Sequence, residues 1–407
     1  MSKAYTSTTP HAPAKRRTVL MSLHYGIENR RRGVYDAARR AGWKVLDLEY
    51  YNREVPRTVR PDGVLFQLHL ATEEAMIARR FLRLGIPAVQ IEDFALPEKF
   101  CCVVEDRRAV GRAAAEHFAD RGFRNMAYLG SEVFHDSPFR LIGESFIARA
   151  RDLGARAELI AIQSLGRLIP WARVEALAKR FEREISGFQF PLGIFTYHDT
   201  MAARICQFCD ALGLSVPEQV AVLGYGNDPC KCDFASTPLS SVAPNYYDQG
   251  RIAAELLDRL MDGQPAPAGP VLVAPAGIVT RQSTDVLALP DLDTARALRY
   301  MWEHFAEPLS VDNIADAAAI SRRKLERHFQ TYLHRGVSEE LVRKRLERAC
   351  ELLVATRTRV KVISEQVGFT TEKHFFRSFR KVMGTSPRQY RLAHAAKLRE
   401  AENDEND

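Results

Sequence analysis

Between Thr18 and Thr284 the chain alternates between two hydrophobic periods. Short apolar runs, "TVLMSL", "GVLFQL", "PAVQIE", "NMAYLG", "LGIFTY" and "VAVLGY", each lie near a helix-type segment such as "NRRRGVYDAARRAG" or "EEAMIARRFLRLG". Runs this short and this apolar bury both faces of a strand, which is the environment of parallel sheets with helices packed on either side. The segment is too long for one doubly wound unit, so two lobes are expected. "MDGQPAPAG" reads as a loop before a last strand, "PVLVAPAGIVT". From Ala295 to about residue 395 the strand-type alternation vanishes and every segment reads as helical.

The fold class expected is a two-lobed α/β domain followed by an all-α C-terminal domain. The divisions are a disordered, polar N-terminus over 1–17, the α/β domain over 18–285, a linker over 286–294, the helical domain over 295–395 and an acidic tail over 396–407. In the linker "LALPDLDT", Pro and Asp residues interrupt periodicity and Thr294 is placed to cap the next helix.

Charge marks the same boundary. The 407 residues hold 58 Lys+Arg and 51 Asp+Glu, a net +7. Residues 296–400 hold 22 basic and 12 acidic residues, +10, which leaves 36 and 39, or −3, for the remainder. One basic segment on a near-neutral protein points to a nucleic-acid contact at that end.

Within the basic segment two stretches share a pattern. In "SVDNIADAAAISRRKLERHFQTYL" (310–333), Ile314 and Ala318 face inward before a turn at 319–321, and Leu325 and Phe329 lie four apart on the next helix, which Ser321 caps. Arg322, Arg323, Lys324, Arg327 and His328 lie off that apolar pair. In "VKVISEQVGFTTEKHFFRSFRKVMG" (360–384), Ile363 and Val367 precede a turn at 368–370, and Phe375 and Phe379 repeat the spacing of four. Lys373, Arg377 and Lys381 can then reach outward. Each stretch is a helix-turn-helix by pattern, whose second helix enters the major groove of double-stranded DNA through its first turns. The intervening amphipathic segment, 339–354, is about 24 Å long at about 1.5 Å per residue, enough to help set two readers in successive grooves.

Residues 296–392 resemble the DNA-binding domain of the AraC family of bacterial transcription regulators. The resemblance rests on "ISRRKLERHF", "ISEQVGF", the pair Phe375 and Phe379, and "RKVMGTSPRQYR". Ala319 departs from the glycine common in the first turn, and His374 from a common tyrosine. The readers expected are Arg322, Arg323, Lys324 and Arg327 in the first unit and Thr371, Glu372, Lys373 and Arg377 in the second. "EDRRAVGRAAAEHFADRGFRNMAYLGS", "FRLIGESF", "FTYHDTMAARICQFCDALGLSVPEQVAVLGYGND" and "TPLSSVAPNYYDQGRIAAELLDRLMDG" occur in that order. Together they resemble the periplasmic-binding-protein-like sensor of LacI-type regulators. A LacI-like sensor joined to an AraC-type reader resembles the arrangement of regulators of xylose utilisation.

The resemblance implies a small-molecule effector, a monosaccharide such as xylose or a related sugar, held between the lobes of a homodimeric regulator, with RNA polymerase as a further partner. Arg140 matches the pocket arginine, Asp199 a position whose acid or amide contacts hydroxyls, and Trp171 an aromatic wall; Tyr25 would come from the other lobe. Alternative roles for these residues are an ion pair for Arg140, a helix cap for Asp199 and core packing for Trp171. Gly226, in "VLGYGND", stands where the family has a sugar-binding acid. Asn227 or Asp228 would substitute through a shifted loop, or the effector is a different polar metabolite.

Other chemistry finds little footing. Cys206 and Cys209 lie within a helical pattern without a second metal-spaced pair, and read as core thiols; no metal site is expected. Cys230 and Cys232 read as loop residues. Glu92 and Asp93 are adjacent on an extended segment, so their side chains diverge and do not form a catalytic pair. No phosphate loop, H-E-x-x-H or G-x-S-x-G motif occurs, so neither an enzyme nor a bound cofactor is expected. A sugar-binding protein or enzyme with a passive basic tail is the rival reading. Seven irregularly spaced cysteines and an N-terminus without a signal-peptide core point to the reducing cytoplasm, and no apolar run suits a membrane span.

Overall fold

The computed structural model describes residues 16–23, 28–48, 59–67, 79–81, 83–92, 100–130, 139–161, 174–289 and 291–392. The first lobe is a sheet of β1 (Thr18–Ser22), β2 (Lys44–Asp47), β3 (Gly63–Phe66), β4 (Ala88–Ile91), β5 (Cys101–Glu105) and β11 (Val271–Val273) in the order β11-β5-β4-β3-β1-β2. Every pairing in it is parallel. The second sheet holds β6 (Asn125–Gly130), β7 (Arg156–Ala161), β8 (Leu192–Thr196), β9 (Val220–Tyr225), β10 (Ser240–Ala243) and β12 (Gly277–Val279) in the order β12-β10-β9-β8-β6-β7. Only the β10–β12 pair is antiparallel among these. The wholly apolar runs of the sequence become the central strands: every residue of "GVLF" in β3 and "LGIFT" in β8 is buried.

Helices cover the sheets. Lobe 1 carries α1 (Glu28–Arg40) and α7 (Tyr246–Met261); lobe 2 carries α2 (Arg107–Asp120), α3 (Phe139–Asp152), α4 (Val174–Ile185), α5 (Asp199–Leu212) and the single turn α6 (Pro229–Cys232). α1 and α7 cross backbone to backbone. A Cβ at Gly33 would lie 2.0 Å from Tyr247 O, and one at Gly250 would lie 2.0 Å from Arg30 O. Only glycine permits that approach, which brings Arg30 against the first turn of α7.

The chain passes between the lobes three times, after β5, after β10 and after β11, and the crossings are tied to one another. Asp106 N donates to Val273 O (2.8 Å), and Ala276 N to Ala243 O (2.9 Å). Tyr225 O–H, at the end of β9, donates to Glu105 at the end of β5, across the lobes. Arg17, in the stretch expected to be disordered, pairs with Asp258 (2.9 Å) and Asp262 on α7.

The C-terminal part is helical: α8 (Leu292–Glu303), α9 (Val311–Ala317), α10 (Arg322–Leu333), α11 (Val337–Ala355), α12 (Val360–Gln366) and α13 (Glu372–Met383). It has two small cores. Leu298, Met301, Ile314, Leu325 and Phe329 fill the first; Leu346, Ile363, Val367, Phe375 and Phe379 fill the second. Phe305 packs against both. Arg345 holds the same stretch, donating to Phe305 O (2.7 Å) and Glu307 O (2.8 Å).

The segment expected to be a linker is a buried strap. Val286 joins the core of lobe 2 and Ala288 packs against it, while Leu287 and Leu289 belong to the first helical core. Ala288 N donates to Arg121 O (2.7 Å), fastening the strap to the end of α2. Nearby, Arg299 Nε on α8 lies 2.8 Å from Oε1 of the buried Glu218 of lobe 2, an ion pair between the two parts. Thr294 is not the cap of α8. Asp291 is, because it stands one residue before the helix, and its Oδ1 accepts from Thr294 N (2.8 Å) and from Thr294 Oγ1 (2.5 Å).

Candidate functional site

The second helices of the two helix-turn-helix units are built by their caps and turns. Ser321 caps α10, accepting from Lys324 N (3.2 Å), and Thr371 caps α13, accepting from His374 N (3.2 Å). Phe375 and Phe379 are wholly buried, while Thr371, Glu372, Lys373 and Arg377 are exposed. Arg322, Arg323 and Arg327 are exposed likewise, and Lys324 is half-buried. Arg322 pairs with Glu326 (2.9 Å) and Asp312 (3.4 Å), and Lys324 with Asp293 (2.7 Å). Surface pairs of this kind are weak and yield readily to phosphate. The structure corrects the facing of His328. It is buried, with Nδ1 2.8 Å from Thr294 Oγ1 and 3.0 Å from Asp291, because the start of α8 covers that side of α10.

The two turns differ. Gly368 turns at φ +84, a conformation natural to glycine, whereas Ala319 adopts φ +55 with a side chain. That region costs a non-glycine residue about 1–2 kcal/mol. Ala319→Gly should therefore stabilise the domain, by a net of about 1 kcal/mol after the added freedom of the unfolded chain, and raise its melting temperature. A calorimetric scan checks it; a lowered midpoint would mean that the Ala319 methyl group contributes more than its backbone costs.

Between the lobes, the carboxyl ends of the parallel strands border the crevice where open α/β sheets hold ligands. Of the residues that the sequence placed there, Tyr25 and Trp171 lie outside the described residues. Arg140 is exposed at the start of α3, its Nε donating to Glu144 Oε1 (2.6 Å). Asp199 is wholly buried: Oδ1 accepts from Ser241 Oγ (2.6 Å) and Oδ2 from Asp228 N (2.9 Å). Burial raises the Asp199 pKa, partly offset by the Ser241 bond. Gly226 sits at φ +120, and a Cβ there would lie 3.1 Å from Asp199 Oδ2. An acid at 226 would thus be strained and would crowd a carboxylate.

The two stand-ins are engaged too. Asn227 Oδ1 accepts from Arg281 Nη1 (3.0 Å). Asp228 pairs with Lys231 (2.8 Å) and caps α6 through Cys230 N (3.0 Å), so Cys230 and Cys232 sit in a helical turn, not a loop. Asp199, Asn227 and Asp228 come together, then, as one bonded unit. Cys206 and Cys209 are core residues of α5.

A second group at the crevice was missed in the sequence. Arg30, on the first turn of α1, is buried; its Nη2 donates to Gln249 Oε1 (2.6 Å) and Glu92 Oε1 (2.9 Å), and its guanidinium lies 4.8 Å from the Tyr246 ring centroid. Arg107 Nη2 reaches Glu92 Oε2 at 3.3 Å. Glu92, at the end of β4, holds a left-handed φ of +68 to meet both arginines. Glu105 and Tyr225 complete the group. Burial pushes Glu105 up to about 7, although the Tyr225 bond opposes the shift. Among the described residues, no group of His, Cys, Asp and Glu could hold a metal ion, and no helix is long and apolar enough to cross a membrane.

Two stretches of the chain match known families. Residues 115–284 match a periplasmic binding protein-like domain, and residues 314–393 a helix-turn-helix domain. The xylose operon regulatory protein of Escherichia coli (strain K12) is 33% identical over 199 residues, 49% of this chain and 51% of that protein. The chain thus spans about half the length of the curated relatives it matches first. The HTH-type transcriptional regulator GntR of Pseudomonas aeruginosa is 32% identical over 241 residues, 57% of this chain and 67% of that protein. A solved structure of a xylose-binding transcription activator, xylR, superposes with a TM-score of 0.64 at 24% identity, covering 93% of this chain and 98% of that one, and so shares the fold.

Proposed function

Because the chain belongs to the helix-turn-helix transcriptional regulators, here with a periplasmic-binding-protein-like domain, we propose that it is a ligand-responsive, sequence-specific regulator of sugar utilisation. The observation that carries the reading is the pairing itself. Two helix-turn-helix units with exposed cationic second helices are strapped to a two-lobed domain whose crevice is lined by buried polar groups. A monosaccharide, xylose or a relative as in the xylose operon regulatory proteins, would bind between the lobes. Its binding energy can move the reader only by favouring one lobe arrangement over the other. The protein would act in the cytoplasm as a homodimer on an operator, with RNA polymerase the partner that reads its state, and would turn over no substrate. Arg322, Arg323, Lys324 and Arg327 would contact the first groove and Thr371, Glu372, Lys373 and Arg377 the second.

The full chain should bind double-stranded DNA with an affinity that falls steeply as salt rises. Arg377→Ala should leave stability within about 0.5 kcal/mol of the parent, since the side chain is exposed, and should weaken DNA binding. Arg377 lies in the second turn of α13, so we expect a phosphate contact and a loss uniform across sequences. Fluorescence anisotropy on an operator and on scrambled DNA at several salt concentrations tests this. A binding constant insensitive to salt, or turnover of a sugar, would remove the reading.

A further inference from the structure

Arg345, in the middle of α11, is a buried cation without a carboxylate. It is 9% exposed, and burial lowers its pKa with no acid among the described residues to oppose the shift. Charges so buried are normally paired with an opposite charge. Here the guanidinium is spent on backbone instead. Nε donates to Phe305 O (2.7 Å) and Nη2 to Glu307 O (2.8 Å), while Cζ lies 5.8 Å from the centroid of the Phe369 ring. Phe305 and Glu307 lie in the loop between α8 and α9 of the first helix-turn-helix unit, and Phe369 in the turn of the second. The same loop seats that turn directly. A Cβ at Gly368 would lie 2.7 Å from Phe305 O and 2.8 Å from Ala306 O, so a bare backbone is needed there for contact as well as for its φ. Phe305 itself packs against both cores.

We propose that Arg345 is the positioning residue that fixes the angle between the two helix-turn-helix units, so that the protein discriminates DNA by the spacing and phase of two subsites. The inference rests on the DNA-binding reading above and deepens it. α11 alone does not set that angle. It lends Val337 and Leu341 to the first core and Leu346, Ala349 and Leu353 to the second. One shared helix fixes the distance between the units, yet each unit can still roll about its axis as small apolar side chains repack. A second tie, away from the axis, removes the roll. Arg345, the loop 304–310 and the turn 368–370 make that tie. A guanidinium suits the task because its planar fork holds two carbonyls in fixed directions while its face meets an aromatic ring. The angle matters because B-DNA turns once in about 10–10.5 base pairs, so each base pair added between subsites swings one groove by about 35°.

The experiment selects duplexes from a random pool with the full chain and locates the subsites by hydroxyl-radical footprinting. Affinity is then measured by fluorescence anisotropy before and after two base pairs are inserted between them. The insertion turns one subsite by about 70° and moves it by about 7 Å. The parent should lose about thirtyfold or more, because one unit must give up its contacts. Arg345→Met keeps the aliphatic stem and removes the fork. It should bind the selected duplex within about fivefold of the parent and lose only about fivefold on insertion. Arg348→Met removes an exposed arginine from the same helix, and should keep the parent's ratio whatever it does to affinity.

An Arg345 that only stabilises the fold would lower affinity for both duplexes alike and leave the ratio unchanged, and that result overturns the proposal. So does a footprint of one unit alone, a parent indifferent to the insertion, or a ratio that shifts equally in Arg348→Met. Should Arg345→Met fail to fold, Arg345→Lys, which keeps the charge without the fork, takes its place and should give an intermediate ratio; a parental ratio counts against the proposal there too. Failure to select any duplex strikes the regulator reading, and this proposal with it, whereas every other failure leaves that reading standing.

Discussion

Replacing Phe379 by Ala should destabilise the helical domain by about 3–5 kcal/mol, the usual cost of deleting a buried phenyl ring. Phe379 is wholly buried, with ring centroids 5.6 Å from Phe375 and 5.6 Å from Tyr390, in a core of nine buried apolar side chains among the described residues. A core so small has few neighbours to collapse into the space left behind. α13 also carries the proposed contacts to the second groove, so DNA binding should fall with folding. Amide hydrogen exchange of the full chain checks both points: protection should drop across α11 to α13 and persist in the two lobes. Unchanged protection there would mean that α13 packs by its other face.

Asp199→Ala should cost about 2–5 kcal/mol in the sensor domain. The variant strips the acceptor from the buried donor Ser241 Oγ and from the half-buried Asp228 N, and a buried donor left unsatisfied costs about 1–3 kcal/mol. Asp199→Asn keeps one good acceptor and should lose less. Thermal unfolding followed in the sensor distinguishes this from a recognition role. A variant that folds at parental stability and no longer responds to sugar would put Asp199 back among the ligand contacts.

The elements were legible in the sequence because their signals are local. Strands buried on both faces write continuous apolar runs, and the spacing of Phe375 from Phe379 states which side of α13 is inside. The same holds for Ile314, Ala318, Ile363 and Val367, all buried as expected. His328 failed for the opposite reason. Periodicity within α10 puts it off the Leu325–Phe329 pair, and only the packing of α8 decides that the side in question is covered. The crevice group was harder still. Arg30, Glu92, Glu105 and Gln249 are scattered over more than two hundred residues and meet only through sheet order and a helix crossing. The available hint was a pair of acids, Glu92 and Glu105, each closing an apolar run, where parallel strands open onto a crevice. Asp199 was placed by resemblance, which gives a position but not the number of neighbours already bonded to it.

The strap between the sensor and the reader has a parity. Its side chains alternate, Val286 and Ala288 into one core and Leu287 and Leu289 into the other. Adding one residue would turn each of these side chains toward the wrong partner, whereas adding two would restore the alternation at the expense of length. A reader grafted from another regulator must therefore arrive in phase as well as in frame, and the seam at which this protein tolerates recombination lies to either side of the strap rather than within it.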